Sequence, residues 1–183
     1  MPTLKIEGLA PSVEKPITNQ DAARRAFGDA AEALALGDGT WKGLFDAYWQ
    51  HYVKVRIPAQ AFDKMNENFF RTTFTSRCLD WLSTYYSFET EYNSPEGRCD
   101  FLAVPKAGSP KPAMLVEFFK YFTNEAAEKG KVLGRDEPDK ETVDQALAYR
   151  TALARRPDWN HPILTAVVEV CGNTGYNWFD LPT

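Results

Sequence analysis

The chain has few of the residues that bind metals through nitrogen or sulfur. Its 183 residues include three cysteines, an odd number without a CxxC spacing, and two histidines. This supply argues against a disulfide framework and a thiolate zinc site, and it excludes a histidine-rich metal site. Any bound metal would need oxygen ligands. The cysteine usage predicts an intracellular, reducing compartment such as the cytoplasm or the nucleus.

Long hydrophobic runs are also missing. The longest, residues 113–119 and 163–168, are far too short to cross a bilayer, and the first residues lack the flanks of a signal peptide. We therefore expect a soluble protein with no membrane partner. With 44% hydrophobic and 14% aromatic residues, the chain has enough apolar material for the core of one compact domain.

No excess of positive charge marks the chain as a protein that coats nucleic acid. Its 21 basic and 25 acidic residues give a formal charge of −4. A local basic rim would still allow binding of a polyanion, if the fold gathers basic side chains on one surface. The candidates are Arg71, Arg77, Arg98, Lys106, Lys111, Lys120, Arg150, Arg155 and Arg156.

Apolar residues at helical spacing occupy the first part of the chain. They predict a helix from a cap at Thr18 to the break at Gly37, and a strongly aromatic helix over residues 40–53. A third helix, apolar on more than one face, is predicted over about residues 59–82. We interpret residues 1–58 as an N-terminal helical extension packed on a core of residues 59–183.

After the third helix the apolar period changes to two. Three strands are predicted, and the last of them is apolar on both faces and should be central. A loop, a helix and a last strand follow, so the order predicts an α/β fold with a mixed sheet flanked by helices. The strands span residues 86–92, 98–104, 113–122 and 163–171, with the loop at 123–139 and the helix at 139–155.

Two carboxylates fall inside the predicted strands. Asp100 lies in the second strand, and Glu117 lies in the apolar third strand. A carboxylate is costly to bury unless it is paired, hydrogen-bonded or bound to a cation. A shared Mg²⁺ or Mn²⁺ would explain both, because Mg²⁺ typically binds one or two carboxylates, several waters and a substrate phosphate. A nearby ammonium such as Lys120 would then orient a water or stabilise developing charge. The alternative is an ordinary ion-pair network with Arg98.

These acids stand in segments that resemble a known signature. EYN (residues 91–93), GRCD (residues 97–100) and LVEFFK (residues 115–120) are similar to the motifs of the PD-(D/E)XK nuclease superfamily, and the resemblance covers roughly residues 67–171. It implies a restriction-endonuclease-like αβββαβ core, similar to the order of elements read above. It also implies a metal-dependent nuclease that hydrolyses phosphodiester bonds, with DNA as the expected substrate.

The resemblance assigns roles to single residues. It makes Asp100 and Glu117 metal ligands, with the backbone carbonyl of Phe118 as a further ligand. It makes Glu67, on the helix before the sheet, an outer ligand or a residue that holds a water.

A helical pair completes the candidate site. Gln145 and Tyr149 have the i, i+4 spacing of a glutamine and a tyrosine that often follow the third strand in the wider family. Their implied role is to support the site, and the alternative is that both are plain helix-surface residues.

One position departs from the family pattern. The acid and the lysine are separated by one residue in the family, whereas Phe118 and Phe119 both stand between Glu117 and Lys120. A regular strand would direct Lys120 away from Glu117, so alignment requires a bulge after Glu117. This departure motivates a second hypothesis, a catalytically degenerate nuclease fold that binds nucleic acid or a protein partner.

The aromatic stripe of the second helix motivates a third hypothesis, an interaction protein that forms a homodimer through its N-terminal helices. The stripe includes Trp41, Tyr48, Trp49 and Tyr52. Such a stripe is usually core packing, and stacking on nucleic-acid bases is a further alternative.

Overall fold

The computed structural model describes residues 19–62, 64–94, 97–109, 111–121, 132–172 and 174–183; of residues 19–20, 59, 90–94, 97–98 and 119–121 it describes the backbone. The helices before the sheet are α1 (Asn19–Leu36), α2 (Trp41–Tyr48), α3 (Lys54–Arg56), α4 (Ala59–Phe62) and α5 (Glu67–Leu82). The later elements are β1 (Tyr86–Ser94), β2 (Gly97–Pro105), β3 (Ala113–Tyr121), α6 (Lys140–Ala154), β4 (Ile163–Cys171) and β5 (Gly175–Leu181).

The second predicted helix is present but changes its geometry near its end. Thr40 caps α2 by accepting a hydrogen bond from the backbone N–H of Gly43 at 3.0 Å. The chain then continues as a π-helical turn, Trp49–Val53, before α3. The turn keeps both Trp49 and Val53 in the core, where they are 1% and 0% exposed.

The prediction of the third helix is wrong in two respects: the helix is interrupted, and only one side of it is buried. The chain leaves the helix after α4, and Asn66 caps the new helix α5 by accepting a hydrogen bond from the N–H of Phe69 at 3.3 Å. The buried side chains of α5 lie on one side of the helix and are Phe70, Phe74, Thr75, Cys78 and Leu82, whereas Leu79 is 47% exposed. The apolar residues on the other faces of α5 therefore do not make it a helix buried all round.

The sheet has the strand order β1-β2-β3-β4-β5, with β3 at its centre as predicted. The pairs β1/β2, β2/β3 and β4/β5 are antiparallel, and β3/β4 is parallel. The connection between the two parallel strands contains α6, as such a crossover requires. The predicted αβββαβ order and mixed sheet are confirmed. The edge strand β5 lies beyond Gly172, where the predicted last strand ends, and is not predicted by the sequence pattern. Most of the predicted loop at 123–139 lies outside the described residues.

The two faces of the sheet are covered by different helices. In β3, Met114, Val116 and Phe118 pack with the core residues of α1, α2 and α5. Leu115 packs on the opposite face with Ala146 and other residues of α6. Strand alternation therefore assigns Glu117 to the α6 face of the sheet.

The aromatic stripe of α2 is core packing. Trp41, Phe45, Tyr48 and Trp49 are all at most 5% exposed and contact aromatic rings of the sheet and of α5. These four side chains are not available as a dimer surface, whereas Tyr52, the remaining member of the stripe, is half-buried. Formation of a homodimer through the N-terminal helices stays a prediction. Among the described helices, none combines the length and the hydropathy that a bilayer crossing needs.

Candidate active site

The two strand carboxylates lie where β2 and β3 stop pairing. The ladder joins residues 101–103 of β2 to residues 114–116 of β3. Beyond this ladder, backbone N–H groups donate to the two carboxylates instead of to carbonyls of the neighbouring strand. Asp100 Oδ2 accepts the N–H of Phe118 at 2.9 Å, and Glu117 Oε1 accepts the N–H of Asp100 at 3.3 Å. The sequence prediction that Asp100 and Glu117 lie side by side on neighbouring strands agrees with this geometry.

One arginine from the helical layer reaches this pair. Arg71, on α5, places Nη1 3.1 Å from Asp100 Oδ1, and its Nη2 donates to Asn68 Oδ1 at 2.7 Å. The Arg71 and Asp100 side chains are 12% and 19% exposed. The guanidinium is therefore held in a fixed orientation beside the carboxylate pair.

The surroundings of Asp100 and Glu117 disfavour a negative charge on both carboxylates at once. Burial, together with the nearby charge of Asp100, raises the pKa of Glu117 to about 9, although the Asp100 N–H and Arg71 oppose the shift. Burial also raises the pKa of Asp100 above its usual range, against hydrogen bonds from the Phe118 N–H and Arg71. In the protein without a cation, Glu117 therefore carries a proton near neutral pH.

A second buried glutamate, Glu169, has hydrogen-bond partners within the chain that account for its burial. Glu169, in the neighbouring strand β4, is 0% exposed and accepts three hydrogen bonds. They come from Arg135 Nη2 at 2.5 Å, the Asp139 N–H at 2.7 Å and Asn177 Nδ2 at 3.1 Å. Glu117 instead has an acid as its close neighbour. Its burial is therefore not explained by the internal partners that stabilise Glu169.

The donor set at Asp100 and Glu117 fits a hard divalent cation. Both side chains supply oxygen, and an extended strand directs the C=O and N–H of a residue to the same edge, so the Phe118 carbonyl lies on the edge that faces Asp100. Among the described residues, no group of three or more His, Cys, Asp or Glu side chains forms a fuller metal cage. Two carboxylates with waters is a coordination that Mg²⁺ accepts.

The bulge required to align Lys120 with Glu117 is absent. β3 pairs with β4 in one unbroken register, from Ala113 opposite Ile163 to Tyr121 opposite Cys171. This parallel pairing holds the β3 backbone regular through Lys120. The side chains of Lys120 and Arg98 lie outside the described residues, so their predicted roles stay predictions.

The remaining candidates occupy two different helices. Glu67 is the first residue of α5, one turn before Arg71, and is half-buried. Tyr149 is buried against Leu115 on the α6 face of the sheet, the face assigned to Glu117. Gln145 is exposed and donates from Nε2 to Tyr149 Oη at 2.8 Å. The two side chains thus contact each other, and their supporting role in the site stays a prediction.

The sequence pattern predicts Arg71 only as one of several candidates for a basic rim, and it does not predict the contact of Arg71 with Asp100. A signal was available: Arg71 follows Glu67 by four residues and therefore lies on the same face of α5.

Comparison with known proteins supports the signature. The family model of the PD-(D/E)XK nuclease superfamily matches residues 65–178, more than half of the chain. Searches of curated proteins and of solved structures each returned no match. The matched range holds α5, β1 to β4 and α6, the elements of the restriction-endonuclease-like αβββαβ core. Because the match covers that whole order of elements, the chain belongs to the PD-(D/E)XK nuclease superfamily.

Proposed function

We propose that this protein is a metal-dependent nuclease that hydrolyses phosphodiester bonds in DNA, with Mg²⁺ or Mn²⁺ bound at Asp100 and Glu117. The observation that carries the proposal is the pair of buried carboxylates at the opening between β2 and β3, where the pKa of Glu117 is raised to about 9. A divalent cation compensates two such charges better than the single guanidinium that is present.

The residues of the site divide the chemistry among them. Asp100, Glu117 and the Phe118 carbonyl hold the cation, which when bound polarises the phosphate and lowers the pKa of a bound water. Arg71, already fixed beside Asp100, neutralises charge that develops on the phosphate oxygens. Glu67 holds a water at the rim of the site.

Substrate and setting follow from the same proposal. The substrate is nucleic acid, and we take it to be DNA. Tyr149, with Gln145 hydrogen-bonded to its hydroxyl, supports the α6 side of the site. The three cysteines, Cys78, Cys99 and Cys171, are buried thiols. Buried thiols support a reducing, intracellular compartment.

One observation favours a second candidate function. The unbroken β3–β4 register lacks the bulge that would align Lys120 with Glu117. A superfamily member without that lysine would be a catalytically degenerate fold that binds nucleic acid or a protein partner. Arg71 supports the first candidate, because it supplies a cation from another element.

The direct test is cleavage of plasmid and single-stranded DNA by the wild-type protein. We expect cleavage with Mg²⁺ or Mn²⁺ and none with EDTA. A protein that binds DNA yet cuts neither substrate with either metal would be the degenerate binding module. A thermal shift on addition of Mn²⁺ reports cation binding independently of cleavage.

Arg71 and Lys120 should differ in their importance. Arg71→Ala is expected to lower the cleavage rate by about 100-fold, in the range found when one donor to a developing charge is removed. Arg71→Lys, which keeps the charge but loses the planar fork, should recover part of that loss. Lys120→Ala should lower the rate by less than about threefold.

The opposite ranking would return the catalytic role to Lys120. A loss of about 100-fold in Lys120→Ala, with Arg71→Ala near wild type, would mean that the lysine reaches the site in spite of the regular strand. Circular dichroism of each variant separates these losses from unfolding.

A further inference from the structure

A second concave site lies in the helical layer. A cavity of about 240 Å³ opens between α1, the π-helical turn after α2, and the last two turns of α5. Among the described residues, three arginines line it, Arg24, Arg56 and Arg77, with His51 beside them and Asp80 as the one carboxylate. The cavity is therefore positively charged in a protein whose formal charge is −4.

An aromatic ring, rather than a set of acids, orients two of these arginines. The guanidinium carbons of Arg56 and Arg77 lie 5.4 and 4.7 Å from the ring centroid of Tyr52. Tyr52 in turn stacks on Tyr48 at 5.6 Å, and the Tyr48 hydroxyl is hydrogen-bonded to Thr73 at 2.6 Å. The ring that holds the two guanidinium groups is thus anchored to α5.

The arginine donors are left available. Within the described residues, no carboxylate oxygen lies within 4.0 Å of Arg24 or Arg56, and the contact of Arg77 with Asp80 is long at 3.8 Å. Cations that lie together without a close carboxylate among the described residues repel one another, and this repulsion favours binding of an anion.

A tryptophan forms one wall of the cavity and is 39% exposed. Trp81 lies so close to α1 that a Cβ on Gly28 would come within 2.6 Å of its ring. Glycine at this position lets the indole lie against the helix. The cavity thus combines guanidinium donors with an exposed aromatic surface, the combination on which single-stranded nucleic acids bind by phosphate contacts and base stacking.

We propose that this cavity binds a segment of single-stranded nucleic acid, with Arg24, Arg56 and Arg77 on phosphates and a base against Trp81. The inference deepens the proposed nuclease function and rests on it for the path of the strand. Arg77 follows Arg71 on α5 by an axial rise of about 9 Å and lies on a different side of the helix, so a strand that crosses the Asp100–Glu117 pair would have to pass around α5 to reach the cavity.

Most of the cavity comes from outside the matched family region. Arg24, His51, Tyr52 and Arg56 all precede residue 65, where the match begins. The helical extension would therefore add a strand-binding surface to the nuclease core. The π-helical turn that carries His51 and Tyr52 is a feature often found at functional sites.

The test is the affinity for a fluorescent oligothymidylate, measured by anisotropy in EDTA so that neither cleavage nor a bound metal contributes. The variant Arg24→Ala, Arg56→Ala removes two exposed charges from the lining. The control Arg25→Ala, Lys54→Ala removes two exposed charges from neighbouring positions outside the lining. We expect about a 10-fold loss of affinity in the first variant and less than twofold in the control.

The salt dependence gives a second readout. Loss of two phosphate contacts should reduce the slope of log affinity against log salt by about 1.4, at about 0.7 per contact for a single strand. In addition, Trp81→Leu should abolish the preference of the wild-type protein for oligothymidylate over an abasic strand of equal length. Wild-type protein that fails to bind, or equal losses in both double variants, would overturn the inference.

Cleavage assays on the same variants separate this inference from the proposed nuclease function. If the wild-type protein cuts DNA and the cavity variants bind and cut as it does, the cavity proposal alone is wrong. If the wild-type protein never cuts but the cavity variants lose affinity, the cavity stands as a binding site and the nuclease proposal fails.

Discussion

Replacement of Glu117 by glutamine, or of Asp100 by asparagine, is expected to lower the rate of DNA cleavage by at least about 1,000-fold. Each substitution removes one of the two carboxylates proposed as ligands, and among the described residues no third acid joins them in a metal-binding group. A bound metal contributes several kcal/mol to the stability of the transition state, and about 4 kcal/mol corresponds to roughly three powers of ten. Single-turnover cleavage of plasmid DNA in Mg²⁺ measures the effect.

Glu169 supplies the matched control for this prediction. Glu169 is also a buried glutamate in a strand, but its carboxylate accepts hydrogen bonds from Arg135, Asp139 and Asn177. Glu169→Gln should therefore lower the free energy of unfolding by about 2 kcal/mol, because a charged hydrogen-bond acceptor is lost. Its cleavage rate, measured where the variant is folded, should stay within about threefold of wild type. Equal losses of activity in Glu117→Gln and Glu169→Gln would mean that activity follows stability, and the site assignment would be wrong.

In the absence of metal, the stability of the protein should fall as pH rises. Glu117 ionises near pH 4.5 under ordinary conditions, but in the fold its pKa is raised to about 9. Between these values the unfolded chain has released the proton and the folded chain still binds it, so the unfolded state is favoured as pH increases. We expect a loss of roughly 2 kcal/mol or more between about pH 5 and pH 9, since one pKa unit is about 1.36 kcal/mol. Urea denaturation in EDTA measures it.

The variant Glu117→Gln isolates this contribution. It should match the wild-type protein in stability near pH 4.5 and exceed it at pH 8, because glutamine has no proton to lose. A wild-type profile that runs parallel to that of the variant across this range would contradict the prediction.

A divalent cation should reverse the trend. The carboxylates must be ionised to bind it, so binding releases a proton and becomes stronger as pH rises. The rise in melting temperature on addition of Mn²⁺ should therefore be larger at pH 8.5 than at pH 6 in the wild-type protein. Glu117→Gln should show little rise at either pH.

The sequence was sufficient to place the two carboxylates of the candidate site, Asp100 and Glu117, on neighbouring strands. Asp100 and Glu117 stand in strands with a clear apolar pattern, and a charge in such a pattern is conspicuous because its burial is costly. The order of elements followed from the change in apolar period after α5. These inferences depend on local pattern, which a single sequence contains.

The position of Arg71 beside Asp100 could not be predicted in the same way, because it depends on tertiary geometry. Arg71 lies on a helix twenty-nine residues before Asp100, and its approach to that carboxylate depends on how α5 crosses the sheet. The bulge that alignment of Lys120 with Glu117 would require does not form, because parallel pairing with the distant strand β4 keeps the backbone of β3 regular. Strand β5 was missed because Asn177 and Asp180 interrupt its apolar alternation, and its pairing with β4 supplies the stabilisation that its own pattern lacks.

The parallel pairing of β3 with β4 also bears on how the protein folds. Ala113 can pair with Ile163 only after the intervening chain, which includes α6, has closed a long loop. Closing this loop costs chain entropy before any contact between the two strands forms. The β1–β2–β3 meander needs no such closure. We therefore expect Asp100 and Glu117 to become neighbours in an early local hairpin, with docking of β4 and β5 as the slow step that buries them.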